Sequence, residues 1–392
     1  MKRQKRQACN MEFLHYQPTR IHFGPGKIEK IGEIARAYGT CCLLVTPEPI
    51  EVLKPLFTHV RELLEAEGIT VSVYDKVQPN PLSSAVEEAV KKGFDHHVDF
   101  VVGLGGGSAI DTAKMVAYNA GSRTIDWDEF FTVRTGFQDD CFTHEGALPI
   151  LAIPTTSGTG SQCTQAAVIT NEETHQKTTV FRQQFFPREA IIDPKLMATL
   201  PYGMSASTAF DAFCHLSESY MMKRLSCISE PMCITGMRMI VDILPKLKED
   251  ARLEYREQLA AADTIAGICL ANGGGTIPHF LGEILTSWNT RINHGCSLAV
   301  VYPKFIEEYF EDAEYHERLS AILQVIAPKI SCTTKEQARS VVEDFLKRVD
   351  LQFTISDFQT SQEQYESMLK TVRQQTRFQE TERLLSILKA CY

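Results

Sequence analysis

The 392-residue chain has no apolar stretch long enough to cross a bilayer: its most continuous one, DFVVGLGGGSAI, is short and broken by glycine. A surplus of base is missing too. With 40 Lys and Arg against 49 Asp and Glu the formal charge is -9, which argues against a surface that tracks nucleic-acid phosphates. The one basic tract, MKRQKR, has no apolar segment behind it of the kind a secretory signal carries, and residues 1–10 are expected to form an N-terminal extension. Paired Cys-x-x-Cys elements are absent, so the twelve cysteines make no zinc ribbon, and their scattered spacing makes no disulfide framework. A reducing, cytoplasmic setting is expected, with neither nucleic acid nor membrane as a partner. No low-complexity linker and no fixed-period repeat stands out.

What is present is a globular balance, 44% hydrophobic and 23% charged, in a chain long enough for roughly two domains. Its first half alternates short apolar strands with amphipathic helices, the order of βαβ units and a parallel sheet. RIHFG (20–24), CCLLVT (41–46), TVSVYD (70–75), DFVVGLG (99–105) and LPILAIP (148–154) read as strands, the last being the final strong one. KIEKIGEIARAYG, EVLKPLFTHVRELLEAEG, LSSAVEEAVKKGF and SAIDTAKMVAYNAG read as the helices between them. From about Pro187 strand signals fade, and apolar residues recur every three or four positions. The expected organisation is an α/β domain over residues 11–186 and an all-helical domain over 187–392, packed closely.

Chemistry is concentrated in a few places. Gly105, Gly106 and Gly107 stand at the turn from a buried strand into a helix, where bare backbone and free N–H groups suit a phosphate, and Ser108 can cap the helix or donate its hydroxyl. A tight βα turn that needs positive φ is the alternative, and the strand–glycine–helix order favours phosphate. The loop lacks the Gly-Lys-Ser/Thr of a Walker loop, and it follows the third or fourth strand, whereas the usual Rossmann fingerprint follows the first. A second polar cluster, IPTTSGTGSQ (153–162), follows the next strand, so that Thr155, Thr156 and Thr159 stand at the same carboxyl edge of the sheet.

In the helical half, Asp211 and His215 lie one turn apart in FDAFCH, flanked by apolar residues. Downstream, GGGTIPHFLGEIL sets His279 in the first turn of a helix opened by Thr276 and Pro278, and TRINHGCSLAVVYP sets His294 just ahead of another. Any one of these histidines would be an ordinary capped or hydrogen-bonded side chain. One carboxylate and three imidazoles together suit a divalent ion, iron(II) or zinc, with room left for a substrate oxygen.

GGGSAIDTAK, IPTTSGTGSQ, DPKLMATLP ahead of FDAFCH, and the two later histidines in order resemble the iron-containing, or group III, alcohol dehydrogenases from about Phe13 to the last helices. The resemblance implies a Rossmann-like α/β dinucleotide-binding domain beside an all-α domain, with metal and nicotinamide in the cleft between them. Carried over by motif, it implies Asp211, His215, His279 and His294 as metal ligands, iron(II) before zinc. Gly105, Gly106, Gly107, Ser108 and Asp111, joined by Thr155, Thr156, Thr159 and Lys177, would hold NAD or NADP. The implied reaction is hydride transfer between the cofactor and a primary alcohol or aldehyde, in a homodimer.

Many relatives have a second histidine one turn after the third ligand. This chain has Glu283 there, so His279 and Glu283 are the candidate catalytic residues; Glu283 either moves the proton or is a solvated or ion-paired side chain. After CCLLVT, Pro47 stands where NAD-using relatives carry an acid, with Glu48 next to it, and that charge favours NAD over NADP. Two rival readings remain: a metal- and NAD-dependent cyclising lyase of the dehydroquinate synthase kind, which needs many basic residues at its site, and a dinucleotide sensor without chemistry, which needs no ligand set.

Overall fold

Leu43 and Val45 pack into one apolar cluster and their neighbours Cys42 and Leu44 into another, so strand β2 (Cys41–Pro47) buries both faces, as a strand inside an α/β sandwich must. The computed structural model describes residues 12–132, 146–174, 176–375 and 377–392; the expected extension at 1–10 lies outside them. Together with β1 (Arg20–Phe23), β3 (Thr70–Val77), β4 (Phe100–Gly105), β5 (Ile150–Pro154) and β8 (Glu189–Ile192), β2 forms a parallel sheet in the order β1-β8-β5-β4-β2-β3. Helices α1 (Ile31–Ala35) and α2 (Lys54–Ala66) cover one face through Ile31, Ala35, Phe57, Val60 and Leu64. The other is covered by α3 (Ser83–Asp95) and α4 (Gly107–Tyr118) through Val86, Ala89, Val90 and Ala113, with the short α5 (Trp127–Thr132) beyond them.

Strands β6 (Ala166–Asn171) and β7 (Gln176–Phe181) form a separate antiparallel hairpin. The sequence pattern places the last strand at 148–154, and the structure corrects this with three more. β6 (AAVITN) alternates only in part and β7 (QKTTVF) opens on a polar run, while β8 (EAII) is buried at every position and opens on an acid, so none of them shows a clean strand period. β8 also lies past Pro187, where the sequence turns helical, yet it pairs with both β1 and β5. Its buried Glu189 accepts from Arg20, His22 and Tyr38, which is how an acid is tolerated within the sheet.

The rest is helical: α6 (Tyr202–Met221), α7 (Ser229–Glu249), α8 (Leu253–Gly273), α9 (Ile277–Trp288), α10 (His294–Tyr309), α11 (His316–Ile326), α12 (Lys335–Arg348), α13 (Gln362–Gln374) and α14 (Thr381–Ala390). From Ala209 to Met221 every residue of α6 is buried, because α7, α8 and α10 pack around it; such a helix belongs at the centre of a bundle. Phe210 and Phe213 meet Tyr302 of α10 edge to face. Among the described residues no helix is long and apolar enough to cross a membrane.

Two features position the site. The glycine turn after β4 and the 155–162 loop after β5 stand at neighbouring carboxyl ends of the sheet. Meanwhile α10 starts close against α6: a Cβ on Gly295 would lie 1.9 Å from the Ser207 carbonyl oxygen, so only glycine permits the approach that brings His294 to α6.

Candidate metal and cofactor site

Asp211 and His215 share one face of α6, buried to 3% and 6% exposure. His279 enters from the first turn of α9 and His294 from the first residue of α10, whose start is fixed by the Asn293 side chain accepting from the Cys296 N–H. All three imidazoles aim Nε2 at a single oxygen, Asp211 Oδ1, from 3.2 Å (His279), 3.6 Å (His215) and 3.6 Å (His294). Ligand atoms around a tetrahedral ion with bonds of about 2.0–2.2 Å stand about 3.3–3.6 Å apart, close to these separations from Asp211 Oδ1. Asp211, His215 and His279 bring one ligand atom each within 4.8 Å of one another, while His294 joins through Asp211 from outside that mutual cluster.

The protons sharpen this fit. His215 Nδ1 lies 3.2 Å from the Gly158 carbonyl, which only accepts, so Nδ1 is the donor and a neutral ring leaves Nε2 bare. His279 Nδ1 donates in the same way to Glu218 Oε1 at 2.6 Å. Two bare nitrogens and a carboxylate oxygen then face one another in a buried space, an arrangement that repels itself unless a cation lies among them. In the metal-free protein that cation is a proton on His279. Burial opposes it, but Glu218 and Asp211 outweigh burial and raise the ring to about 10. Burial lowers His215 to about 4 and drives His294 well below the usual imidazole range. Asp211, which burial alone would raise, is held well below the usual carboxylate range by the facing imidazoles. His294 Nδ1 is buried and has no hydrogen-bond partner among the described residues.

On the sheet side, Gly105 ends β4 at φ 152 and packs on Pro47, while a Cβ on Gly107 would lie 2.7 Å from Thr159 Cγ2. The glycine turn and the Thr loop therefore meet directly, and Gly106, beside Thr156, keeps the helix N-terminus bare. Ser108 lies in the first turn of α4, where its carbonyl accepts from Thr112 Oγ1. Thr155 N–H donates to the Gly105 carbonyl, and Thr159 Oγ1 accepts from Ser161 N–H. Asp111 is occupied inside the protein: Oδ1 accepts from Ser161 Oγ at 2.6 Å and Oδ2 from Val168 N–H at 3.0 Å. Lys177, on β7, reaches Asn80 Oδ1 at 2.8 Å and Thr286 Oγ1 at 3.3 Å, bridging the sheet edge to α9; burial lowers its ammonium, against the pull of Glu283, Asp211 and Asp111. Glu283 accepts from Thr179 Oγ1 at 2.9 Å.

Two family descriptions match the chain: iron-containing alcohol dehydrogenase over residues 18–194, and the C-terminal part of the Fe-containing alcohol dehydrogenase family over 205–389. The chain belongs to the iron-containing alcohol dehydrogenases. It is 30% identical over 359 residues to a long-chain primary alcohol dehydrogenase of Thermoanaerobacter ethanolicus, covering 90% of this chain and 88% of that one. It is 27% identical to the NAD-dependent methanol dehydrogenase of Bacillus methanolicus, covering 90% and 91%. The NADH-dependent butanol dehydrogenase A of Thermotoga maritima superposes with a TM-score of 0.85 at 28% identity, covering 97% of this chain and 98% of that one. Membership makes the protein an oxidoreductase that joins a nicotinamide cofactor, a metal and an alcohol or aldehyde.

Within this family site, two residues fall outside those the sequence singles out. Glu218, fully buried, orients His279 and also accepts from the N–H and hydroxyl of Thr276; Thr276 therefore makes no side-chain cap on α9. Its signal was the spacing 211, 215, 218, which continues one face of α6 with a second acid. Asp263, on α8, accepts from Gly160 N–H and Gln162 Nε2 and holds the Thr loop from the helical side; nothing in its local sequence marks it.

Proposed function

We propose that Asp211, His215, His279 and His294 hold one divalent ion, iron(II) with zinc as the alternative, beside a nicotinamide cofactor bound on the sheet's carboxyl edge. The observation that carries this is the convergence of three Nε2 atoms on Asp211 Oδ1 while the Nδ1 atoms of His215 and His279 are committed elsewhere. When bound, the ion supplies Lewis acidity toward the substrate oxygen and the nicotinamide accepts or returns the hydride.

The remaining work falls to the chain. Gly105, Gly106, Gly107 and Ser108 offer a bare helix N-terminus to the pyrophosphate, and Thr155, Thr156 and Thr159 offer hydroxyls on the loop after the neighbouring strand. Asp111 holds these two loops together, since both its oxygens are used internally. Lys177 borders the cleft between β7 and α9. In alcohol oxidation the carbon-bound hydrogen leaves as hydride to the cofactor and the hydroxyl proton leaves to a base. Glu283, one turn beyond His279 and half exposed, can take that proton and pass it to water.

NAD is the favoured cofactor: Glu48 stands exposed just beyond β2, and relatives are named as NAD- or NADH-dependent. Primary alcohols and their aldehydes are the favoured substrates, because relatives named for methanol, long-chain alcohols and 1,3-propanediol share that group. The reading keeps an α/β half at 11–186 and a helical half at 187–392, with β8 the one strand that crosses to the first half; the two matched family regions support a division in this part of the chain. A cytoplasmic homodimer completes the reading, supported by the free thiols of the described cysteines and by exposed Phe13, Leu14, Tyr16 and Phe23 in and just before the edge strand β1.

The test is anaerobic purification with metal analysis, followed by a panel of primary alcohols and aldehydes with NADH and NADPH on iron- and zinc-loaded protein. Stoichiometric metal and NADH-linked turnover of a neutral primary alcohol are expected. Tight NADH binding without bound metal or turnover would instead support a sensor.

A further inference from the structure

We propose that Asp263 is a positioning residue that ties the cofactor-facing loop to His215. The inference rests on the function proposed above and concerns residues 158–162, the stretch that joins the two halves of the site. At one end of this stretch the Gly158 carbonyl accepts from His215 Nδ1 at 3.2 Å. At the other, Ser161 Oγ donates to Asp111 Oδ1 at 2.6 Å and accepts from Lys114 Nζ at 2.7 Å, both on the helix that follows the glycine turn. Between them lies Asp263, fully buried on α8. Its Oδ1 accepts from Gly160 N–H at 2.9 Å and its Oδ2 from Gln162 Nε2 at 2.8 Å, and the Gly158 backbone also hydrogen-bonds to the carboxyl.

Packing supports the same placement independently. Gly160 is left-handed, φ 61, and a Cβ on it would lie 2.4 Å from the Gly267 Cα, one turn past Asp263 on α8. A Cβ on Gly158 would lie 2.6 Å from the Thr208 carbonyl oxygen on α6. The loop is therefore wedged between the helix that carries Asp211 and His215 and the helix that carries Asp263, with glycine at both contacts.

Asp263 touches neither the ion site nor the cofactor turn. Without its acceptors, three donors of one loop lose their partner in a buried space and the loop is free to lift from α8. The Gly158 carbonyl then no longer sets the His215 tautomer, and Ser161 no longer braces the helix of the glycine turn. Metal and cofactor affinity should weaken together, although the residues that would hold them meet the loop at opposite ends.

The experiment compares full-length wild type with Asp263→Asn, Gln162→Ala and Leu384→Ala. Zinc dissociation constants come from chelator competition and NADH constants from fluorescence, at a temperature where each protein is folded. Asp263→Asn should raise the zinc constant about tenfold or more, the range of lost outer-shell support, and the NADH constant several-fold. Gln162→Ala, which keeps the acid and drops one donor, should shift both by about threefold. Leu384→Ala opens a hole in the helical core on α14, outside the loop and the two helices that hold it, so it should lower the melting temperature and leave both constants unchanged. If Asp263→Asn does not fold, Gln162→Ala decides alone. Both constants unchanged in the loop variants, or equally weakened in Leu384→Ala, would overturn the proposal. Wild type that bound neither zinc nor NADH would overturn the underlying function instead.

Discussion

Glu218 Oε1 lies 2.6 Å from His279 Nδ1, and the other oxygen of the same carboxylate holds the backbone and hydroxyl of Thr276 at the entry to α9. One buried acid thus orients a ligand ring and anchors the helix that carries it. Glu218→Gln keeps the size and one acceptor but loses the charge. The variant should fold and lose about 10- to 100-fold in zinc affinity, read by chelator competition; an unchanged constant would remove Glu218 from the site.

Metal binding should release a proton. Without metal, His279 is raised to about 10, so it is protonated at neutral pH, and an ion must displace that proton. Affinity should therefore rise with pH, about tenfold per unit between about pH 7 and 9, with about one proton released per ion. Titration calorimetry in buffers of different ionisation enthalpy counts the protons, and a count of zero would refute the assignment. The sign for stability is opposite. A folded pKa above the ordinary 6.5 stabilises the metal-free fold fully below about 6.5, and this contribution is lost as pH rises through about 10.

Glu283→Gln retains an acceptor for Thr179 Oγ1 but cannot carry a proton. Metal content and NADH affinity should hold, while kcat for alcohol oxidation falls about 100-fold and its pH profile changes shape. Unaltered kcat across the pH range would make Glu283 an ordinary cleft side chain.

Gly107→Ala puts a methyl group 2.7 Å from Thr159 Cγ2. The glycine turn and the Thr loop must then separate, costing about 1–3 kcal/mol of stability and weakening NADH roughly tenfold, with zinc affinity little changed. Chemical denaturation and NADH fluorescence give the two numbers.

Lys114 is fully buried, with Nζ donating to Ser161, Thr164 and the Ala166 carbonyl, and burial lowers it to about 8. Lys114→Met leaves three acceptors unpaired and Asp111 without its cation, 3.8 Å away in the native protein. A loss of about 3–5 kcal/mol is expected in urea denaturation, the cost of a buried charge left alone. A loss below 1 kcal/mol would show that water replaces the ammonium.

The four residues that meet at the site were legible early because each carries a local signature. Asp211 and His215 are one helical turn apart, and His279 and His294 stand at helix starts marked by Pro278 and Asn293. Asp111 shows where local reading stops: it sits in a recognisable motif, but both its oxygens turn to Ser161 and Val168, 50 and 57 residues away. β8 was invisible for a related reason, since EAII is buried on both faces and shows no alternation, and its Glu189 is tolerated there because Arg20, His22 and Tyr38 reach it.

By itself the sequence determined the alternation of strands and helices, the glycine turn after β4, and the chemical kinds of ligand available, because these follow from periodicity and steric freedom over a few residues. Only the tertiary structure decided that three imidazoles share one carboxylate oxygen, that Glu218 and not solvent orients His279, and that Asp263 clamps the loop between cofactor and metal. Apart from Asp211 with His215, one turn apart on α6, those pairings join segments 61 to 103 residues apart, and what sets them is the close approach of helices at Gly295, Gly267 and Gly158, which no local pattern encodes.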